Sequence, residues 1–263
     1  MSGVIMKKLT FISWNVNGIR AVEKKEALKW IDDEGVDFLG LQEIKAEAEQ
    51  IPATIFEREY KNSIINSSIK KGQSGVALYT DIDALHHSSC DEVDILSEGR
   101  INEYHFDDIA YFNVYFPNGQ RNEERLQYKM EFYDRFLNHI NALRDEGKSI
   151  VVCGDVNTAH TPIDLARPKA NEKTSGFLPI EREWMDRLVD EGYIDTFRHI
   201  KGEERDRYSW WSYRAGARAR NVGWRIDYFF VSEDLREKIV DADILDSVMG
   251  SDHCPVKLVL EVG

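Results

Sequence analysis

The sequence predicts a layered α/β fold, because strand-like and helical segments alternate irregularly along it and no linker interrupts them. Strand-like runs recur at 9–13, 36–41, 75–80, 109–116, 150–153, 226–231 and 255–261. Each is apolar or alternating and rich in β-branched and aromatic residues. The clearest helix starts near Asn122, where Leu126, Met130, Tyr133, Leu137 and Ile140 recur at four- and three-residue spacing on one face. Gly147 supplies its stop. A second helix runs from about Glu181 to Glu191 and ends at Gly192. With no Pro/Gly/Ser-rich or low-complexity stretch, residues 1–263 read as one domain. Met6 stands just before the first strand, so residues 1–6 are expected to be a dispensable extension.

Composition narrows the class. Hydrophobic residues make up 42% of the 263 and charged residues 31%, which suits a soluble globular protein with a sizeable core and excludes a disordered chain. No uninterrupted apolar run approaches the roughly 20 residues that span a bilayer, so no membrane association is expected. Cys90, Cys153 and Cys254 are odd in number and widely spaced, with neither a disulfide framework nor a zinc-binding spacing. A reducing, cytoplasmic setting follows as the expectation. The net charge of −13 opposes nucleic-acid binding, which counterion release usually drives. Net charge nevertheless says little about the field inside a cleft. Arg205, Arg207, Arg214, Arg218, Arg220 and Arg225 cluster around a string of aromatics, as a phosphate-binding surface or a solvated face would.

Two segments echo each other. One strand ends Ser-Trp-Asn15-Val-Asn17 and another Cys-Gly-Asp155-Val-Asn157. Alternate side chains of a strand share a face, so each pair is expected to point together, giving a polar floor if the strand ends meet. Glu43 follows an apolar run and suits a hard divalent cation, which takes one or two carboxylates, waters and substrate phosphate oxygens. Asp227 alternates with Phe229 and Val231 and should share their buried face. A buried carboxylate needs a partner, and His253, just before the last strand, is the candidate. That pairing would orient the imidazole and raise its pKa. Asp155 suits activation of a water, Asn157 donation to a phosphate, and Tyr115 donation from a strand end.

Together these segments resemble the exonuclease III family of abasic-site endonucleases, within the endonuclease/exonuclease/phosphatase superfamily. The likeness spans about 9–262 and is carried by Ser-Trp-Asn15-Val-Asn17-Gly, Leu-Gln-Glu43, Tyr115-Phe-Pro-Asn118-Gly, Cys-Gly-Asp155-Val-Asn157, Asn221-Val-Gly-Trp224-Arg-Ile-Asp227 and Gly-Ser-Asp252-His253-Cys-Pro, in that order. The resemblance implies a four-layered α/β sandwich, two packed mixed β-sheets flanked by helices, with the site at one edge. It implies cleavage of duplex DNA 5′ to an abasic site leaving a 3′-hydroxyl, together with 3′→5′ exonuclease activity and incision at other base lesions. Mg2+ is the implied cofactor, with Mn2+ as a substitute, and a monomer acting on abasic double-stranded DNA is the implied assembly.

Residue by residue, the resemblance implies Glu43 as metal ligand with Asn15, Asn17 and Asp252 nearby, and Asp155 beside the attacking water. Asn157 and His253 would bind the scissile phosphate, with Asp227 behind His253 and Tyr115 beside it. Trp210, Trp224 and Ile226 would form an apolar niche for an extruded abasic sugar, whose extrusion costs least where no base is stacked. Asn118 and Arg121 fall in a DNA-contacting loop, and Asn171 and Lys173 would touch the backbone. One position departs from the pattern: Asn17 stands where some relatives carry aspartate, which removes a candidate anionic ligand. Two other readings are a phosphatase or nonspecific nuclease of the same superfamily, against which Trp210 and Trp224 weigh, and a silent binding module, against which the complete polar set weighs.

Overall fold

The computed structural model describes residues 6–53, 55–56 and 59–263, so the expected N-terminal extension, apart from Met6, lies outside the described residues. Two six-stranded sheets face each other. The first holds β1 (Lys7–Asn15), β2 (Phe38–Gln42), β3 (Asn62–Asn66), β4 (Val76–Thr80), β11 (Ile239–Ile244) and β12 (Val256–Val262) in the order β11-β12-β1-β2-β4-β3. The second holds β5 (His86–Ser88), β6 (Ile101–Phe106), β7 (Ile109–Tyr115), β8 (Ser149–Asp155), β9 (Tyr193–Asp195) and β10 (Asp227–Ser232) in the order β5-β6-β7-β8-β10-β9. Both are mixed: β1–β2 and β7–β8 run parallel, and the other pairs antiparallel.

Aromatic rings fill the space between the sheets. Phe11 stacks on Phe38 at 4.9 Å between ring centres, Phe38 on Phe106 at 4.7 Å, and Phe11 meets Phe229 edge-on. Helices α1 (Ile19–Lys24) and α2 (Trp30–Asp33) bury Ile19, Val22 and Ile31 against the outer face of the first sheet, beside Trp14 and Leu39. Helix α3 (Glu123–Asp145) covers the second sheet through Phe132, Phe136 and Ile140, which pack on Phe112, Val114 and Phe116. Its N-cap is Asn122, whose side chain accepts a hydrogen bond from the Arg125 N–H, as the periodicity predicts. Short helix α4 (Pro168–Asn171), α5 (Pro179–Asp190) and α6 (Thr196–Lys201) complete the outer cover, α5 beginning two residues before the predicted helix. The result is the expected four-layered sandwich.

One feature of the interior is polar. Gln42 Nε2 donates to Ser13 Oγ at 2.9 Å and, across the gap, to Asn113 Oδ1 at 2.7 Å. Asn113 Nδ2 donates to the Leu41 and Ala77 carbonyls and to Asn102 Oδ1. Buried amides cost little only when bonded, and this chain ties the sheets together beneath one end of the sandwich. It also explains why β6, Ile-Asn-Glu-Tyr-His-Phe, escapes sequence detection: its polar residues are buried and bonded instead of facing solvent. The other undetected strands, β3, β5, β9 and β11, are short, polar or at sheet edges.

The end of strand β8 admits only glycine before Asp155. Gly154 has φ 138°, and a Cβ there would lie 1.8 Å from the Val114 carbonyl oxygen of the neighbouring strand. Gly154→Ala is therefore expected to destabilise the protein by at least about 3 kcal/mol, because the clash is with backbone and cannot be relieved by a rotamer change. A urea melt with an unchanged midpoint would contradict this.

Candidate active site

The ends of β1, β2, β7 and β8 and the start of β10 meet at one edge of the sandwich. There one amide spans the two sheets: Asn15 Nδ2 donates to Glu43 Oε2 at 3.1 Å and to Asp155 Oδ2 at 2.9 Å. The echoing triplets adopt the same geometry. The Asn17 N–H donates to Asn15 Oδ1 at 2.9 Å, and the Asn157 N–H to Asp155 Oδ1 at 2.8 Å. Asn17 and Asn157 both have positive φ, 45° and 57°. These are Asx turns in which each side chain caps the break in its own strand. The expected pairing by strand alternation is thus corrected: Asn17 and Asn157 lie beyond the strand ends, and turning brings them to the site.

His253 Nδ1 lies 2.8 Å from Asp227 Oδ2, and its Nε2 3.9 Å from Asp155 Oδ2. Asp227 occupies the buried face with Phe229 and Val231, as predicted, opposite Asp155 in register. Its N–H is bonded to Ser209 Oγ, and its Oδ1 has no hydrogen-bond partner among the described residues. Burial alone would lower the His253 pKa, but the charges of Asp227, Asp155 and Asp252 outweigh it and raise the value to about 10. Burial raises Asp155, and the like charge of Asp227 adds to that, while His253 and the amide of Asn15 oppose it; the net is upward, to about 7. Burial and the charge of Glu43 hold the Tyr115 hydroxyl well above the usual phenol range, so it is a donor and not a base.

The donor set also bears on a cation. Lys45 Nζ sits 2.9 Å from Glu43 Oε1 and bonds Asn17 Oδ1, so two oxygens from different strand ends already converge on one positive charge. Asn17 Nδ2 donates to Asp252 Oδ1 at 2.9 Å, a bond the aspartate of the family pattern could not donate. Asp252 Oδ2 accepts from Trp210 Nε1. These carboxylate and amide oxygens are the ligand type of a hard divalent ion. Asp155, Asp227 and His253 also bring ligand atoms within 4.8 Å of one another. That trio is poorly suited to a metal, because the protonated imidazole already supplies the positive charge between the two carboxylates.

A cleft of about 600 Å³ opens above this floor. Twelve of the sixteen predicted site residues line it: Asn17, Glu43, Tyr115, Asn118, Asp155 and Asn157 on one side, and Asn171, Trp210, Trp224, Ile226, Asp252 and His253 on the other. Asn15 and Asp227 stand directly behind, holding Asp155 and His253. Arg121 lines an adjoining cleft of about 500 Å³ that shares Glu43, Tyr115 and Asn118. Lys173 is exposed and lines neither. The wall near His253 is apolar: Trp210 meets Trp224 edge-on at 6.4 Å between ring centres, over Ile226, Leu165 and Phe177. Gly176, at φ 101°, leaves room beside Trp224, where a Cβ would press within 3.2 Å of the ring.

The arginine cluster divides. Arg225 is buried in ion pairs with Asp164 and Asp195, Arg207 pairs with Glu204 and Asp243, and Arg218 lies over Trp211. Arg205 lines neither cleft, and only Arg214 and Arg220 face the main one, joined there by Arg167, which the sequence reading missed. Arg167 lies one residue before a four-residue helix that carries no periodic signal. None of these three forms an ion pair with another described residue.

A model of the Endonuclease/Exonuclease/phosphatase family matches residues 12–253. The chain belongs to that family. It is 43% identical over 97% of its length to an exodeoxyribonuclease of Bacillus subtilis, covering all of that protein, and 40% identical over 95% of its length to the DNA repair nuclease APEX1 of Danio rerio, covering 81% of it. Its fold is similar to that of an AP endonuclease from Archaeoglobus fulgidus, with a TM-score of 0.86 at 28% identity over 97% of this chain and 100% of that one. Like these relatives it is a nuclease, a phosphodiesterase, and the oxygens around Glu43, Asn17 and Asp252 are the groups of its site that could hold a metal.

His253 should therefore remain an imidazolium through neutral pH. Its favourable contribution to stability is complete below its ordinary pKa of about 6.5 and is lost as pH rises through about 10. Asp227→Asn removes the main opposing charge and should move the titration to lower pH. Imidazole chemical shifts followed from pH 5 to 11, an experimental range of about six units around the ordinary value, check both; a wild-type midpoint near 6.5 would contradict the pairing.

Proposed function

We propose that this nuclease hydrolyses the phosphodiester bond 5′ to an abasic site in duplex DNA and leaves a 3′-hydroxyl. The observation that carries the reading is the adjacency of two unlike surfaces. A polar floor built for a phosphate, Asn157 and His253, abuts an apolar niche, Trp210, Trp224 and Ile226, that suits a sugar lacking its base. Relatives named as an exodeoxyribonuclease and as a DNA-(apurinic or apyrimidinic site) endonuclease support it. The same phosphate floor also serves 3′→5′ exonuclease cleavage and incision at other base lesions.

In the reaction, an attacking water gives its proton to Asp155 while its oxygen bonds to phosphorus, the bond to the 3′ oxygen breaks, and that oxygen takes a proton from solvent water to become the 3′-hydroxyl. Asp155 is held by Asn15 and by the Asn157 N–H, and its raised pKa suits a base near neutrality. Charge growing on the phosphate oxygens meets the His253 cation and a free N–H of the Asn157 amide, whose other N–H is spent on the Phe116 carbonyl. Glu43, with Asn17 and Asp252 near it, would hold Mg2+, or Mn2+ in its place, and that charge would help neutralise the phosphate. Tyr115 donates its hydroxyl proton as a hydrogen bond. Arg167, Arg214 and Arg220 in one cleft, with Arg121 in the next, attract the backbone locally despite the net charge of −13.

A duplex with one tetrahydrofuran abasic analogue, incubated with Mg2+, should be cut 5′ to the lesion at least about 100-fold faster than intact duplex. Equal rates would end the claim of abasic selectivity. Glu43→Ala and Asp155→Asn should each slow cleavage by about 10³-fold or more with little change in DNA affinity. Cleavage that survives both would place the chemistry elsewhere.

A further inference from the structure

A second cluster of ligand-bearing side chains lies away from the cleft, where the loop after β5 meets β6 and α3. Cys90 Sγ is 2.8 Å from Glu103 Oε2 and 3.8 Å from His139 Nε2, and His139 Nε2 is 3.1 Å from the same carboxylate oxygen. Cys90 and Glu103 are buried, and His139 is 20% exposed, which leaves a way in from solvent. None of the three lines the active-site cleft, and the reaction uses none of them. We propose that Cys90, Glu103 and His139 bind a divalent cation of the zinc class.

The geometry is close to what such an ion requires. With bonds of about 2.3 Å to sulfur and about 2.0–2.1 Å to nitrogen or oxygen, tetrahedral zinc holds its ligand atoms about 3.3–3.6 Å apart. The sulfur–nitrogen and nitrogen–oxygen separations fall about 0.2 Å either side of that range. The sulfur–oxygen distance of 2.8 Å is shorter than that range, and it must open as the thiol proton, which now donates to the carboxylate, leaves. Thiolate, imidazole and carboxylate together favour zinc over magnesium or calcium.

The surroundings also orient the ligands. Glu92 Oε1 lies 3.2 Å from His139 Nδ1, so that nitrogen keeps its proton and Nε2 is turned inward. His105 Nε2 bonds Glu103 Oε1, the oxygen that faces away from Cys90 and His139. Without metal, burial raises the Cys90 pKa and the charge of Glu103 adds to it, so the sulfur is a thiol. Burial would lower the His139 pKa, but the bond and charge of Glu103 prevail and raise it. Binding then displaces the Cys90 Sγ proton to solvent, and with it the His139 Nε2 proton wherever that imidazole is charged, so the protons released offset the incoming dication.

Cobalt is the probe, because a thiolate ligand gives Co2+ a near-ultraviolet charge-transfer band that oxygen and nitrogen ligands do not. Metal-free full-length protein, titrated with Co2+ in excess Mg2+ to fill the catalytic cleft, should develop this band to one equivalent. Zn2+ should abolish it and raise the Tm. Cys90→Ser and His139→Gln should lose or weaken the band while retaining Mg2+-dependent DNA cleavage. No band in the wild-type protein, or a band of full intensity in Cys90→Ser, would overturn the proposal.

Discussion

The structure depends on joining two sheets at one edge through a side chain of the first that reaches the second. Asn15, at the end of β1, donates its amide to Glu43 on its own sheet and to Asp155 on the other. The bonds fix two carboxylates that would otherwise repel, and they do so with a neutral group. The Gln42–Asn113 bond beneath repeats the device one layer deeper. Both are buried polar contacts, strong in a low-dielectric interior and costly if half made. Register between the sheets is therefore set by hydrogen bonds as well as by the aromatic core.

Electrostatics follow from that placement. Asp155, Asp227, Glu43 and Asp252 converge, and among the described residues His253 and Lys45 are the cations at ion-pair distance from them. Protonated His253 offsets the inner pair, and Lys45 holds the outer carboxylate. Burial and the like charge of Asp227 raise the pKa of Asp155 against the pull of His253, and the surrounding carboxylates raise that of His253 against burial. A phosphate approaching such a floor meets carboxylates, which is the physical reason a bound dication fits the donor set. The overall acidity of the chain is a different matter, since Arg167, Arg214 and Arg220 line the main cleft without an ion pair to another described residue.

What could be read from the sequence was what local chemistry determines. Asn122 and Gly147 bound α3 because caps leave their own signature. The Asp227–His253 pair was legible because a carboxylate alternating with Phe229 and Val231 must be buried and so must have a partner. What escaped depends on tertiary context. Strand β6 looks polar because its amides and carboxylates are satisfied across the interior. Arg225 looked like part of a phosphate-binding surface and is instead a buried partner of Asp164 and Asp195. The cysteines showed no metal spacing because Cys90 finds Glu103 and His139 on a strand and a helix, 13 and 49 residues away. The Asx turns at Asn15 and Asp155 replaced the simple strand alternation expected there, though the echo itself marked the right residues.

The bridging role of Asn15 is tested most directly by a double-mutant cycle in kcat with Asn15→Ala, Asp155→Asn and both together. If Asn15 acts by holding Asp155, its loss should be severe in the wild-type background and cost almost nothing once Asp155 is gone, so the two effects are far from additive. Additive losses would mean that the two strand ends contribute independently, and the junction would not be the organising contact.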